Sequence, residues 1–415
     1  MQATIKDKFL LLLVIIVGLA SIGRHQWSLR SFASSGTKQA LDGLVVVHNK
    51  NDRRIQNTTK RTTNNGNQPF FPFCNRTQIQ HGQWIQQVLP HAPYRSKYDQ
   101  ICNNYQIING SRHWVDYEWQ PTDHPTCNFD HWNASLFCQL TYNAPILILG
   151  DSLSWEHYVA LVERYVTNFG NGQRHVTIQL QSRTELVVQS ICDGATPVAF
   201  HRTDGLEDLN TTIFQDFFPT ILILNRGAHY VPDDRLRREL QSTFHVVKEW
   251  LRTCQQEYGL TCHFYWRTTV PGHYDCKNFS GPVNNLTSME EWVTNTNKSS
   301  NHQAAAAYHW QDFQRQNKMV EEMLESTFST YQEPSSLSRP PYRILDAYYL
   351  NLLRPDGHLR EGDCLHSCAP GKVSVYNRLL LHWLRMDRTI QDVQQLAVYA
   401  ARDPTWMNRS ESKFP

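Results

Sequence analysis

The chain has 415 residues, 40% of them hydrophobic, enough for one large domain or two modest ones with a sizeable core. Its formal charge of +2 is spread along the chain, so neither nucleic acid nor an acidic surface is implied as a partner.

Lys6 and Lys8 precede the apolar run FLLLLVIIVGLASIG, so residues 1–23 have the pattern of a signal anchor or a signal peptide. The run suits a thin early-secretory membrane and has no compelling small-x-small cleavage site. A retained single-pass type II anchor is the preferred reading, with a cleaved, secreted form as the alternative. In both cases the rest of the chain faces the secretory lumen. Asn-x-Ser/Thr sequons agree with that address, beginning at Asn57, Asn75, Asn109, Asn133, Asn210, Asn278, Asn285, Asn297 and Asn408. So do the ten cysteines: Cys74, Cys102, Cys127, Cys138, Cys192, Cys254, Cys262, Cys276, Cys364 and Cys368. The even number suits full pairing in an oxidising compartment, and without a C-x-x-C pair a zinc site is the poorer reading. Their connectivity is open.

Residues 24–69 carry little periodic hydrophobicity and read as a flexible luminal stem. Residues 70–144 are rich in aromatics, prolines and cysteines and lack long apolar runs, so this segment is expected to be disulfide-stapled and to pack on the domain C-terminal to it. From Pro145 short apolar runs alternate with helical stretches. PILILGDS leads into LSWEHYVALVERYV, and TILILNRG into DDRLRRELQSTFHVVKEWLRTC. LTCHFYWRTT is a further strand, followed by an insert with a helix over Ala304 to Ser326, the strand YRILDAY, and the closing helix GKVSVYNRLLLHWLRM. This alternation predicts an α/β domain over 145–387, with a mostly parallel central sheet and helices on both faces. Residues 388–415 form a tail without a chemical signal.

Functional residues of such sheets lie at the carboxyl ends of strands. Ser152 has that placement, just before a helix whose N-terminal field favours a developing oxyanion. A serine nucleophile needs a base, and the base an orienting acceptor. In EGDCLHSCAPG, Asp363 and His366 are three residues apart, and one turn of irregular or helical chain brings the carboxylate to Nδ1, leaving Nε2 free for Ser152. Asn225 ends the second strand beside Gly227, which permits close backbone approach, and its amide is a candidate oxyanion donor or an ordinary turn residue. Arg267 and His273 are candidates for binding an acceptor hydroxyl or an acidic sugar, and Arg267 equally for satisfying carbonyls behind the site. Asp151 and Gly227 belong with these substrate-binding candidates, Asp151 alternatively being a helix cap. Trp84, Trp119, Trp155 and Trp266 suit stacking on sugars, although each is more often core.

Gly150-Asp151-Ser152, then Asn225, then Asp363-x-x-His366 resembles the GDSL/SGNH hydrolase group. More specifically it resembles the PC-esterase branch that contains the trichome-birefringence-like polysaccharide O-acetyltransferases. FPFCNRTQIQHGQWIQ, PYRSKYDQIC and DYEWQPTDHPTCNF resemble that family's cysteine-rich segment through Cys74, Gly82, Trp84, Pro93, Tyr94, Cys102, Tyr117, Trp119, Gln120, Pro121 and Cys127. FYWRTTVPGHY and GDCLHSCAPGKVSVYN resemble two later motifs, so the resemblance spans Cys74 to Met386. Two departures stand out. Ala228 and Tyr230 interrupt the family's Asn-x-Gly-His-Trp pattern, and Ser154-Trp155-Glu156 replaces its Asn-Arg-Asn-like run.

The resemblance implies an SGNH-hydrolase-like three-layer sandwich with the cysteine-rich segment packed on it. It implies Ser152 as nucleophile, His366 as base, Asp363 as its orienter, and Asn225 with the Ser152 N–H as the oxyanion hole. The implied activity is O-acetyl transfer to a polysaccharide or glycan from a Golgi membrane. No bound cofactor or metal is implied, and the donor is acetyl-CoA or one supplied by a membrane partner. A carbohydrate O-acetyl esterase and a non-catalytic glycan-binding protein are the alternatives. Nothing in the sequence sets an oligomeric state.

Overall fold

The run Ile146–Gly150 is buried at every position, as a strand covered on both faces requires. In the computed structural model it is the middle strand of a seven-stranded sheet. The structure describes residues 72–86, 117–162, 176–179, 185–206, 209, 211–295, 303–329, 331, 340–360, 363–367, 371–388 and 390–402. The expected anchor and stem therefore lie outside the described residues. So do Cys102, Cys368 and the sequon asparagines Asn57, Asn109, Asn210, Asn297 and Asn408.

In chain order the first elements are α1 (Arg76–Gln80), β1 (Gly82–Gln86), β2 (Tyr117–Pro121), α2 (Ala134–Leu140), β3 (Ile146–Gly150) and α3 (Ser152–Val162). Then come β4 (Val176–Gln179), β5 (Glu185–Ile191), β6 (Thr196–Arg202), α4 (Thr211–Phe217), β7 (Ile221–Leu224), α5 (Asp233–Gln256) and β8 (His263–Arg267). The remainder are α6 (Leu286–Thr294), α7 (Gln303–Tyr308), α8 (Phe313–Phe328), β9 (Tyr342–Leu345), α9 (Tyr348–Leu352), β10 (His358–Arg360), β11 (Asp363–Ser367), α10 (Ser374–Asp387) and α11 (Ile390–Arg402).

The main sheet has the order β4-β5-β6-β3-β7-β8-β9. Strands β6, β3, β7, β8 and β9 run parallel, and β5 is antiparallel to both β4 and β6. The mostly parallel α/β architecture read from the alternation of elements is thus present. The antiparallel edge was not among the expected elements. It is a hairpin whose turn places Cys192, Asp193 and Gly194 at φ of 55°, 56° and 88°.

Strand order reverses at β3, with β6 on one side and β7 on the other. In open α/β sheets such a switch point leaves a crevice beyond the carboxyl ends of the two strands. The strands' period of two separates the layers above and below. Phe264 and Trp266 of β8 turn to one face, where their ring centroids lie 6.4 and 5.7 Å from that of Phe244 on α5. Arg267 turns to the other face and lies 4.8 Å over the Tyr376 ring of α10. On that face α10 packs on α3, with Asn377 Nδ2 donating to Ala160 O at 2.9 Å.

The described parts of 70–144 clasp α10. The Arg378 guanidinium donates to Asp130 O, Trp119 O and Phe129 O at 3.0, 2.9 and 2.9 Å and pairs with Glu118 at 2.9 Å. His382 Nε2–H donates to Cys74 O at 2.8 Å. Disulfides fasten the rest. Cys74–Cys127 closes the segment and Cys138–Cys192 ties it to the hairpin turn. Cys254–Cys262 joins α5 to β8, and Cys276–Cys364 joins the chain after β8 to β11. The tail is not separate where it is described: α11 buries Val393 and Leu396, and Asp392 accepts from Thr261 Oγ1 at 3.0 Å. No helix of the described residues is long and apolar enough to cross a membrane.

Because Arg378 joins a buried carboxylate to three main-chain carbonyls, Arg378→Leu removes the donor to those carbonyls and the cation paired with Glu118, which keeps His131 as a partner. Breaking such a pair is expected to lower the unfolding free energy by about 3–5 kcal/mol, read from denaturant unfolding. A change under about 1 kcal/mol would mean that the clasp does not hold the segment.

Candidate active site

The site is built from the chain leaving β3. Gly150 has φ of 146°, and a Cβ there would stand 2.2 Å from Ser154 Oγ, so glycine is required. Asp151 comes next, fully buried, and meets four N–H groups. Its Oδ1 accepts from Leu153 N–H at 2.9 Å, and its main-chain oxygen from the N–H groups of Ser154 and Trp155, each at 3.0 Å. Its Oδ2 accepts from Ala228 N–H beyond β7 at 2.7 Å. The last bond is possible because Gly227 lies between, where a Cβ would come 2.1 Å from the Asp151 carboxyl carbon. Asp151 and Gly227, candidates for substrate binding, are instead the joint between two strand ends.

Ser152 opens α3, an eleven-residue helix. With the next three N–H groups taken by Asp151, the Ser152 N–H is the first-turn donor left over, at the positive end of the helix. Its Oγ lies 2.8 Å from His366 Nε2. His366 Nδ1 in turn lies 3.1 Å from each oxygen of Asp363. A carboxylate only accepts, so Nδ1 carries the hydrogen and Nε2 offers its lone pair to the Ser152 hydroxyl. The structure thus brings together three residues separated by up to 214 positions.

Of the irregular and helical conformations expected here, the helical one is absent, and Asp363 and His366 sit on the short strand β11. Regular strand geometry would send residues three apart to opposite faces. Here the pairing with β10 is irregular, and Asp363 Oδ1 folds back to accept from the N–H groups of Leu365 and His366 at 3.4 and 3.1 Å.

Charge gathers around the imidazole. Burial works against a charged His366, but the hydrogen bond to Asp363 and the charges of Glu156, Asp363 and Asp151 outweigh it and raise its pKa to about 9. Asp363, although burial opposes its charge, is held below the usual carboxylate range by the His366 side chain and by the N–H groups of His366 and Leu365.

Asn225 does not face this triad as an oxyanion donor. Its Nδ2 donates to Arg267 O at 2.8 Å and Thr269 Oγ1 at 3.1 Å, and its Oδ1 accepts from Arg267 Nη2 at 2.8 Å. Both amide hydrogens are therefore committed, and the amide instead locks the end of β7 to the end of β8. Arg267 is fully enclosed, also donating to Ser154 Oγ at 3.1 Å, so it acts from behind the site and not on a bound molecule. His273 is equally enclosed, between Leu352 O at 2.8 Å and His358 at 2.7 Å, and its expected ligand role fails for the same reason. Trp84, Trp119 and Trp266 are core, and Trp155 packs on Tyr158 and Phe200.

Three features were given no role from the sequence. His229, whose side chain is 36% exposed, places Nε2 3.9 Å from Asp151 Oδ2, at the crevice edge. Tyr230 stacks on His309 at 3.9 Å, and Tyr308 meets His229 edge-on. Glu156 lies one helical turn after Ser152, a spacing that could have revealed it. Among the described residues no group of three His, Cys, Asp or Glu is placed to hold a metal ion.

What fold and site define together is a class: a mostly parallel α/β sheet with a hydrogen-bonded Ser–His–Asp set at its switch point. A scan of the chain against protein-family models gives no match, and a search of curated proteins gives none either.

This geometry makes two outcomes testable. A serine-directed phosphonate reacts with Ser152 only while His366 is neutral, so labelling rises with pH. Half-maximal rate is expected well above the ordinary imidazole value of about 6.5, toward about 9. A midpoint at or below that ordinary value would contradict the arrangement of charges. Asn225→Ala removes three hydrogen bonds around an enclosed Arg267 and is expected to cost about 3 kcal/mol of stability in urea unfolding. Unchanged stability with a slower labelling rate would return Asn225 to the oxyanion hole.

Proposed function

We propose that the chain is a serine-dependent O-acyltransferase of SGNH type that moves acetyl groups onto hydroxyls of a polysaccharide or glycan. The observation that carries this reading is the hydrogen-bonded run from Ser152 Oγ through His366 to Asp363 at the carboxyl edge of the sheet. The resemblance of Gly150-Asp151-Ser152 and Asp363-x-x-His366 to the PC-esterase and trichome-birefringence-like family adds the acyl group and the acceptor class.

In this mechanism Ser152 Oγ attacks the carbonyl carbon of the acetyl donor while its proton passes to His366 Nε2. Asp363 accepts from Nδ1–H and stabilises the imidazolium. The oxyanion accepts from the Ser152 N–H in the field of α3. Collapse releases the donor's leaving group, which takes the proton, and leaves acetyl-Ser152. A sugar hydroxyl then gives its proton to His366 and attacks the acetyl carbon, and Ser152 Oγ recovers the proton as the ester leaves. Acetyl-CoA or a carrier loaded by a membrane partner suits the first half-reaction. Partly exposed rings at His229, Tyr230, Tyr308 and His309 suit a sugar acceptor in the second. With residues 1–23 as a type II anchor, the reaction takes place on the luminal side of a Golgi membrane, or outside the cell if that segment is cleaved.

One observation favours a second reading. The side chains of His366 and Asp363 are 29% and 23% exposed, so water reaches the base, and with water as acceptor the same steps make a carbohydrate O-acetyl esterase. A non-catalytic glycan-binding protein would have no use for the intact triad.

The test incubates the full chain with an activated acetyl ester and a panel of oligosaccharides, and follows acetyl-Ser152 and acetylated sugar by mass spectrometry. Acetylated sugar that disappears in Ser152→Ala, a loss on the order of 10⁶-fold, is the expected result. Acetate release with every sugar unmodified would establish the esterase, and full activity in the variant would remove Ser152 from the mechanism.

A further inference from the structure

Ser152 and Glu156 are four residues apart on α3, a spacing that puts both side chains on one face of the helix. That face meets β11 twice. Ser152 Oγ bonds His366 Nε2 at 2.8 Å, and Glu156 Oε1 accepts from the next N–H along, that of Ser367, also at 2.8 Å. Glu156 is 7% exposed, and its Oε2 is buried without a donor. Neither the orientation of His366 by Asp363 nor the proton transfer from Ser152 explains why a carboxylate is enclosed at this point.

The peptide that Glu156 grips by its N–H is held at its other end as well, since His366 O lies 3.1 Å from His358 Nδ1. His358 Nε2 lies 2.7 Å from His273 Nδ1, and His273 Nε2 lies 2.8 Å from Leu352 O. The two carbonyls and the contact between the rings need three N–H donors, and two neutral imidazoles bring two. Burial holds both rings well below the ordinary imidazole range. Lys372 adds a donor at His358, its Nζ lying 3.2 Å from His358 Nε2 and 3.4 Å from His358 Nδ1. Lys372 is itself enclosed, and burial brings it down to about 7 despite the charge of Glu156.

Glu156 faces His366 and Asp363 from β11, Lys372 at the approach to α10, and Tyr376 on α10. Burial lifts it to about 7, against the pull of His366, the Ser367 N–H and Lys372. Above that value it is a negative charge within interaction range of His366 and bonded to the segment that carries His366.

We propose that Glu156 is a positioning residue that anchors the 366–367 peptide against α3 and whose charge governs when His366 is free to take the Ser152 proton. The inference rests on the reading of Ser152 as nucleophile and His366 as its base. Glu156→Gln keeps an oxygen for the Ser367 N–H and drops the charge, whereas Glu156→Ala drops both.

The experiment is the pH profile of Ser152 labelling by a serine-directed phosphonate, with melting temperatures for each form of the full chain. Glu156→Gln is expected to move the half-maximal pH down by about 1 unit, because a neighbouring negative charge no longer stabilises the imidazolium. Glu156→Ala is expected to add about a tenfold loss at the plateau relative to Glu156→Gln, through a misplaced imidazole. If Glu156→Ala does not fold, the Glu156→Gln midpoint decides alone. A midpoint that stays at the wild-type value in Glu156→Gln overturns the proposal, whatever happens to the plateau. If the wild-type chain is not labelled at Ser152 at all, the nucleophile reading itself fails and the proposal with it.

Discussion

The Asp151 carboxylate is the constraint on which the rest of the site depends. A carboxylate with no exposed surface is costly unless its lone pairs have donors, and Asp151 finds its donors in two separate strands' exits. Leu153 N–H holds it to α3, and Ala228 N–H holds it to the chain after β7. The glycines on either side are consequences of that choice, because a side chain at Gly150 or Gly227 would occupy space the joint needs. So is the placement of Ser152. A residue that takes up the N–H groups of Leu153, Ser154 and Trp155 leaves the nucleophile's own N–H at the head of the helix.

Opposite that joint the sheet carries positive charge. Arg267 is enclosed at the end of β8 among neutral partners, Ser154, Asn225 and the Tyr376 ring, with no carboxylate paired to it among the described residues. Asn225 links Arg267 back to β7, so the same amide closes the seam between two strands and accepts from Nη2 of the buried guanidinium. The base comes from a different layer. His366 and Asp363 lie on the small sheet of β10 and β11, outside the seven strands, and reach Ser152 because β11 is gripped from α3 and from the chain after β8.

How far the amino-acid sequence revealed this depends on the physics of each signal. Apolar runs ending in polar residues marked β3, β7, β8 and β9, and strand-end placement singled out Ser152 and Asn225. The partners of Asn225 were not legible, since they depend on how closely the ends of β7 and β8 approach. The spacing of Asp363 and His366 marked them as partners but left their backbone open between irregular and helical chain, because a carboxylate that folds back on its own strand has no sequence period. The β5–β6 hairpin went unseen although Asp193-Gly194 is a hairpin-type turn pair. Its strand β5 mixes exposed and buried residues without clean alternation, so no face is marked.

The bond between Cys276 and Cys364 has a consequence for how β11 is held. The seven-stranded sheet is ordered by hydrogen bonding and apolar packing, with the disulfides Cys138–Cys192 and Cys254–Cys262 at its margins. The strand that carries the acid and base is outside it and is fastened to the domain through a disulfide two residues before His366. In a reducing environment that fastening is missing, and the triad is left to one buried carboxylate and a few hydrogen bonds. Reduction is therefore expected to loosen β11 and with it the 2.8 Å approach of His366 to Ser152.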